Sequence, residues 1–141
     1  MAFDSDEYRF LSNFWPCKII LDAEVYSSVE HAYQAAKTID PFARALIRGT
    51  PTPAAAKRLG RNVLLRPEWT TSMLRVNVMR DLLRQKFSIQ PLRERLLATG
   101  DVELIEGNHW GDHFWGVCDG RGENHLGKLL MEIRGEVRTC L

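Results

Sequence analysis

The sequence has no long apolar run. No stretch of the 141 residues approaches the roughly 18–20 apolar positions a membrane-spanning helix needs, and the amino end, MAFDSDEYRF, has neither a basic n-region nor an apolar h-region. A membrane span and an export signal are therefore not expected, and a cytoplasmic location is. Cysteine is scarce: Cys17, Cys118 and Cys140 are odd in number and far apart, which excludes a disulfide framework and a CxxC metal or redox site. Charge of one sign is lacking too. Nineteen Lys and Arg against eighteen Asp and Glu leave a formal net charge of +1, so no overall field draws in long nucleic acid or an anionic membrane, and an anionic partner must be met locally. Repeats, low-complexity tracts and linkers are missing. With 45% apolar residues the expectation is one compact domain over residues 1–141 with a single core.

What is present reads as a mostly helical α+β chain. CKIILDAEVYSS holds two short apolar runs around Asp22-Ala23-Glu24, a hairpin running into a helix that starts near Ser27. Asp40-Pro41 and Thr52-Pro53 each pair a capping side chain with a first-turn proline, and Gly49 and Gly60 mark the two ends. From about Ser72 to Phe87, Met79, Leu82, Leu83 and Phe87 recur at helical spacing; a shorter helix runs from Pro91 to Ala98, closed by Gly100. VELIE and HFWGV read as short strands and HLGKLLMEIRGEV as a final amphipathic helix.

Three stretches carry chemistry. In SSVEHAYQAAK, residues 27–37, helical spacing gathers Glu30, Tyr33, Gln34 and Lys37 within about a third of the circumference, with Ala32, Ala35 and Ala36 opposite. The alanine side permits close packing, which leaves the polar stripe toward a cleft or solvent. Ser27 and Glu30 also have capping-box spacing, which alone would account for the glutamate. The second stretch is a basic tract. No acid lies between Asp40 and Glu68, while Arg44, Arg48, Lys57, Arg58, Arg61 and Arg66 all do. It reads either as a phosphate site or as a solvated surface balanced by acids elsewhere in space. The third, HWGDHFWGVCDGRGENHLGK, residues 109–128, combines aromatics, Asp112, Asp119 and five glycines, a loop suited to approach something flat or phosphorylated. Its GENHLGK fits GxxxxGK, but Leu129 stands where a P-loop needs Ser or Thr for magnesium. His109 and His113 have zinc-helix spacing but enclose Gly111 and lack the HExxH glutamate. No metal and no cofactor is expected.

Taken in order, FLSNFWP, SVEHAYQAAK, AAKRLGR, LLATGDVELIE, FWG and GENHLGKLLMEIR resemble the NADAR family, also called YbiA-like, from about Tyr8 to Arg134. The stretch PEWTTSMLRVNVM aligns with it only loosely. The resemblance implies an α+β domain that hydrolyses N-glycosidic bonds. Its implied substrates are riboflavin-pathway ribosylamino-pyrimidine phosphates or ADP-ribose on guanine in nucleic acid, the latter with transient nucleic-acid contact and an antitoxin role. A non-catalytic NAD or ADP-ribose binding module is the alternative from another class. Breaking a ribosyl C1–N bond builds positive charge on the sugar, so a carboxylate is needed beside C1. Glu30 is the first candidate and Asp112 the second, with Lys37 as an amine able to form a Schiff base. Asn13, Phe14, Tyr33, Gln34, Trp115 and Gly116 are expected to position base and ribose. Arg61, Gly127 and the helix start at Asn124 are expected to take phosphate.

Overall fold

Two compact units, Asn13–Lys86 and Met1–Ser12 with Phe87–Leu141, divide the backbone of the computed structural model, which describes Phe3 and residues 5–140. In the first, β1 (Pro16–Leu21) and β2 (Glu24–Ser28) form an antiparallel hairpin with Leu21 opposite Glu24. Asp22 and Ala23 both have positive φ, 47° and 68°, the two-residue turn whose twist matches paired strands. The hairpin runs directly into α1 (Val29–Ala36), followed by α2 (Pro41–Arg48), α3 (Pro53–Gly60) and α4 (Leu74–Lys86). Asp40 and Thr52 cap α2 and α3 through bonds from the Phe42 and Ala55 amides, as their sequences dictate.

The α1 cap differs from expectation. Ser28, not Ser27, is the N-cap, and its hydroxyl accepts from the His31 amide. This one-residue shift removes Glu30 from the capping-box position, and its amide bonds to the Asn13 carbonyl instead. The reason is the strand before it: β2 continues through Ser28, opposite Pro16, so the chain becomes helical only afterwards. His31 then closes on Ser28 Oγ at 2.7 Å and on the Thr50 carbonyl at 3.1 Å.

The polar stripe on α1, expected toward a cleft or solvent, does not face open solvent. Every residue from Val29 to Ala36 is buried, because the hairpin, α2, α3 and α4 all pack around this helix. The small residues make that possible. Ala32, Ala35 and Ala36 are fully covered, and a Cβ at Gly60 would collide with the Gln34 side chain, so glycine sets how closely α3 approaches α1. On the other flank, Gln85 of α4 bonds both the Ile20 amide, at 2.8 Å, and its carbonyl, at 2.7 Å, acting as an edge partner for β1.

The second unit contains a short 3-10 helix (Arg9–Leu11), α5 (Leu92–Ala98), β3 (Gly107–Asn108), β4 (Val117–Cys118) and α6 (His125–Thr139). Phe10 packs edge-on against Phe87 with ring centres 6.4 Å apart, and Arg134 on α6 donates to Thr99 and to the Val102 carbonyl. The strand expected at VELIE, residues 102–106, does not form, and of HFWGV only Val117 is in a strand: β3 and β4 are a two-residue parallel pair. Here Asn124 replaces a neighbouring strand: its side chain accepts from the Glu106 amide and donates to the Leu104 carbonyl, each at 3.0 Å. The α+β class with helices dominant is as expected. No helix among the described residues is long and apolar enough to cross a membrane.

Candidate active site

Because α1 is wrapped on all sides, its polar residues are held rather than displayed. Glu30, Tyr33 and Gln34 are 7%, 6% and 3% exposed, values rare for such groups unless they are partnered or functional. Gln34 Nε2 donates to Glu30 Oε1 at 2.8 Å, which aims the carboxylate one turn along the helix. Tyr33 packs against Trp69, ring centres 5.4 Å apart, and the Lys37 ammonium lies 5.7 Å from the Tyr33 ring centre. Lys37 ends α1, and its carbonyl accepts from the Arg66 amide at 2.7 Å, which ties the segment before Trp69 to this helix end.

The electrostatics favour a reactive amine. Burial pushes the Lys37 ammonium below its ordinary value; Glu30 opposes that, while Lys57, Arg61 and Arg75 add to it. A carboxylate and an amine of lowered proton affinity thus act on each other within one unit. Asn13 belongs to the same unit; its Nδ2 approaches the Met79 sulfur at 3.6 Å, and its buried Oδ1 has no partner among the described residues. Gln34 Oε1 is in the same condition. Two orphaned acceptors beside Glu30's backbone and side chain leave room in the hydrogen-bond network for a donor from outside the protein. Phe14 is 41% exposed.

The expected residues of the second unit are occupied differently. Asp112 Oδ1 accepts from the Phe114 and Trp115 amides at 3.1 and 2.9 Å, and Asn108 bonds both the amide and the carbonyl of Asp112. The carboxylate that sequence reasoning offered as a second reacting group builds a loop here. Trp115 packs edge-on with Phe114, and both rings meet His125. Gly116 and Gly127 are close-approach glycines: a Cβ would strike the Glu106 carbonyl at the first and the Leu104 carbonyl at the second. The phosphate expected at the α6 start would find the Asn124, His125 and Leu126 amides already bonded to the Gly116, Phe114 and Trp115 carbonyls.

Sequence reasoning missed Trp69 and Arg75. Both lie in PEWTTSMLRVNVM, the segment with the loosest resemblance, and neither stands at a spacing that links it to α1. The basic tract resolves into two parts. Arg44 and Arg48 pair with Asp22 and Glu24 of the hairpin turn, as a balanced surface requires, whereas Lys57 and Arg61 act on Lys37.

The NADAR domain family matches residues 2–138. This chain belongs to the NADAR family. Among NADAR relatives, the N-glycosidase YbiA of Escherichia coli (strain K12) is 40% identical across 94% of this chain and 84% of its own length. The N-glycosidase Npun_R5314 of Nostoc punctiforme is 39% identical across 95% and 88%. A riboflavin biosynthesis protein of Vibrio vulnificus is 41% identical over 96% of this chain, which spans only 38% of that longer protein. The NMR structure of E. coli YbiA superposes with a TM-score of 0.85 at 37% identity, covering 99% of this chain and 84% of the other.

Proposed function

We propose that this chain hydrolyses the ribose C1–N bond of a phosphorylated ribosyl substrate, with a riboflavin-pathway ribosylamino-pyrimidine phosphate as the preferred class. NADAR membership and relatives named N-glycosidase support a hydrolase acting on N-glycosyl bonds, and the riboflavin biosynthesis name of the Vibrio relative supports the pyrimidine. The observation that carries the reading is the buried Glu30 carboxylate, aimed by Gln34 and coupled to the low-affinity Lys37 amine.

As the C1–N bond breaks, its electron pair stays on the nitrogen, which takes up a proton, and positive charge grows on C1 and the ring oxygen. Glu30 stabilises that charge and takes a proton from the incoming water. With Ser28 as the cap, Glu30 does not stand at the capping-box position. Lys37 offers a second route on the ring-opened sugar: its neutral amine adds to C1, displaces the base nitrogen to leave a C1=N–Lys37 imine, and water then hydrolyses that imine. Phe14 supplies a ring face for the base, and Asn13 an acceptor for one of its N–H groups.

A paired assay tests this. Purified protein receives 5-amino-6-ribosylaminouracil phosphate in one tube and an ADP-ribosylated guanine oligonucleotide in the other, with released sugar followed by mass spectrometry and Glu30→Gln and Lys37→Ala as controls. Release from the pyrimidine, lost in Glu30→Gln, is expected. Release from the oligonucleotide alone overturns the substrate class, and silence in both tubes with ADP-ribose bound overturns hydrolysis in favour of a binding module. Borohydride added during turnover is expected to leave a sugar adduct on Lys37; an unshifted Lys37 peptide removes the imine route.

A further inference from the structure

The two polar ends of the Gln34 amide are held in unlike ways. Its Nε2 donates to Glu30 Oε1 at 2.8 Å, while its Oε1, on a residue only 3% exposed, has no hydrogen-bond partner among the described residues. An ionised carboxylate accepts and cannot donate, so the nitrogen is the end of the amide that must face Glu30, and the oxygen is turned away. It is turned onto α3. A Cβ at Gly60 would stand 1.9 Å from that oxygen, 2.7 Å from Gln34 Cδ and 3.1 Å from Gln34 Cβ, so Gly60 presents a hydrogen where any side chain would strike the amide. The helix has little freedom to move off. The buried residues of α3 are Ala56 and Gly60, four apart and so on one face, and just beyond α3 the Arg66 amide bonds the Lys37 carbonyl of α1 at 2.7 Å. A side chain in place of the Gly60 hydrogen therefore displaces Gln34. A buried carbonyl left without a donor costs stability, and the amide bears that cost in the orientation that serves Glu30.

We propose that Gly60 is a positioning residue of the candidate active site: by leaving room for the Gln34 side chain, it fixes the amide N–H that aims the Glu30 carboxylate. Glu30's part in the reaction rests on the hydrolase reading; the aim of its carboxylate does not. Glu30 also acts on Lys37, further along the same helix. Substitutions at Gln34 and Gly60 that exchange one uncharged residue for another leave that ammonium, and every charged residue of α3 and α4, in the sequence. A change at Glu30 that they share therefore comes through the amide.

Two readouts test it on Gly60→Ala, Gln34→Ala, the double variant and Ala56→Gly: a heteronuclear NMR titration of the Glu30 carboxyl, assigned by its loss in Glu30→Gln, and steady-state kinetics on 5-amino-6-ribosylaminouracil phosphate. Losing a donor to the charged form raises a carboxylate's proton affinity, so Gly60→Ala and Gln34→Ala are each expected to raise that of Glu30 about tenfold. Each is expected to lower kcat roughly 10- to 100-fold with KM within about threefold of wild type. The double variant is expected to match Gln34→Ala within about twofold, since alanine there has no Cδ or Oε1 to strike. Ala56→Gly loosens the same face of α3 without adding an atom near Gln34; it is expected to lower the melting temperature and leave the Glu30 titration unmoved. An unmoved titration in folded Gly60→Ala or in Gln34→Ala overturns the positioning, as do additive losses in the double variant or an equal shift in Ala56→Gly. If Gly60→Ala does not fold, a double variant that folds upholds the clash with Gln34, and one that fails to fold overturns it. Shifted titrations in variants that hydrolyse as fast as wild type uphold the positioning while overturning the part of Glu30 in hydrolysis.

Discussion

The α1 region of the first unit and the 104–124 loop of the second are both rich in polar side chains, and the two use them in opposite ways. In the loop, Asn108, Asp112 and Asn124 all bond main-chain groups, because two strands of two residues each leave most of the backbone without ladder partners. Where a segment without regular structure is partly covered, its amides and carbonyls need partners, and short polar side chains are the nearest means. A helix satisfies its own backbone. On α1 the Gln34 side chain bonds Glu30, Glu30 acts on Lys37, and burial among alanines makes this a charged site. Polarity in a loop thus reads as scaffolding and buried polarity on a helix as chemistry, unless a substitution shows otherwise.

The largest expected effect that sharpens this contrast is on Glu30. Glu30→Gln keeps an oxygen to accept from Gln34, so the melting temperature is expected to move by no more than a few degrees while kcat falls roughly 10²- to 10⁴-fold. An unchanged kcat would place Glu30 with the scaffolding residues.

Next comes Lys86, a fully covered cation in the same unit whose proton affinity burial drives down to about 7, against the partial opposition of Cys17. Between pH 7 and its ordinary value of 10.5 the unfolded chain binds a proton there that the folded chain does not, so this residue makes stability rise with pH across that window. Below about pH 7 both states carry the proton and the full penalty remains. Lys86→Met is expected to stabilise the protein by roughly 1–3 kcal/mol at neutral pH, the gain shrinking toward pH 10 in denaturant titrations. Destabilisation by Lys86→Met at every pH would mean that the interactions of the lysine outweigh its desolvation.

Asn124→Ala, in the other region, removes two buried backbone bonds and should cost roughly 2–3 kcal/mol, read as a lowered urea midpoint. Because Asn124 also has positive φ, 52°, Asn124→Gly separates the two terms: it relieves the backbone but not the lost bonds. If glycine restored wild-type stability, the side-chain bonds would count for little.

The smallest effect is expected at Asp112. Asn there retains the oxygen that the Phe114 and Trp115 amides use, so stability should change by under about 1 kcal/mol and kcat by no more than a few-fold. A thousandfold loss of kcat in folded Asp112→Asn would make this loop carboxylate a reacting group and break the contrast.

How much of this was legible differs residue by residue. The Asp40-Pro41 and Thr52-Pro53 starts were readable because a cap and a first-turn proline are local devices. The α1 cap was misplaced by one residue because two serines adjoin, and the register of β2 against β1, a pairing between segments, chooses between them. VELIE looked like a strand by composition, but a single asparagine eighteen residues beyond Glu106 takes over the backbone bonds a neighbouring strand would supply. Trp69 and Arg75 carried no local signal, since what makes them part of the site is the way their segment returns to α1.

By itself the sequence determined the helical grammar, the hairpin, the grouping of Glu30, Tyr33, Gln34 and Lys37 on one helix, and the family. These are properties of spacing along the chain. Only the tertiary structure decided that this helix has no solvent face, that Asp112 and Asn124 bond backbone groups, and that the basic tract splits between hairpin acids and Lys37. The physical reason is that burial and pairing of charge depend on distances between segments remote in sequence. Periodicity can say which side a residue faces, but not what packs against that side.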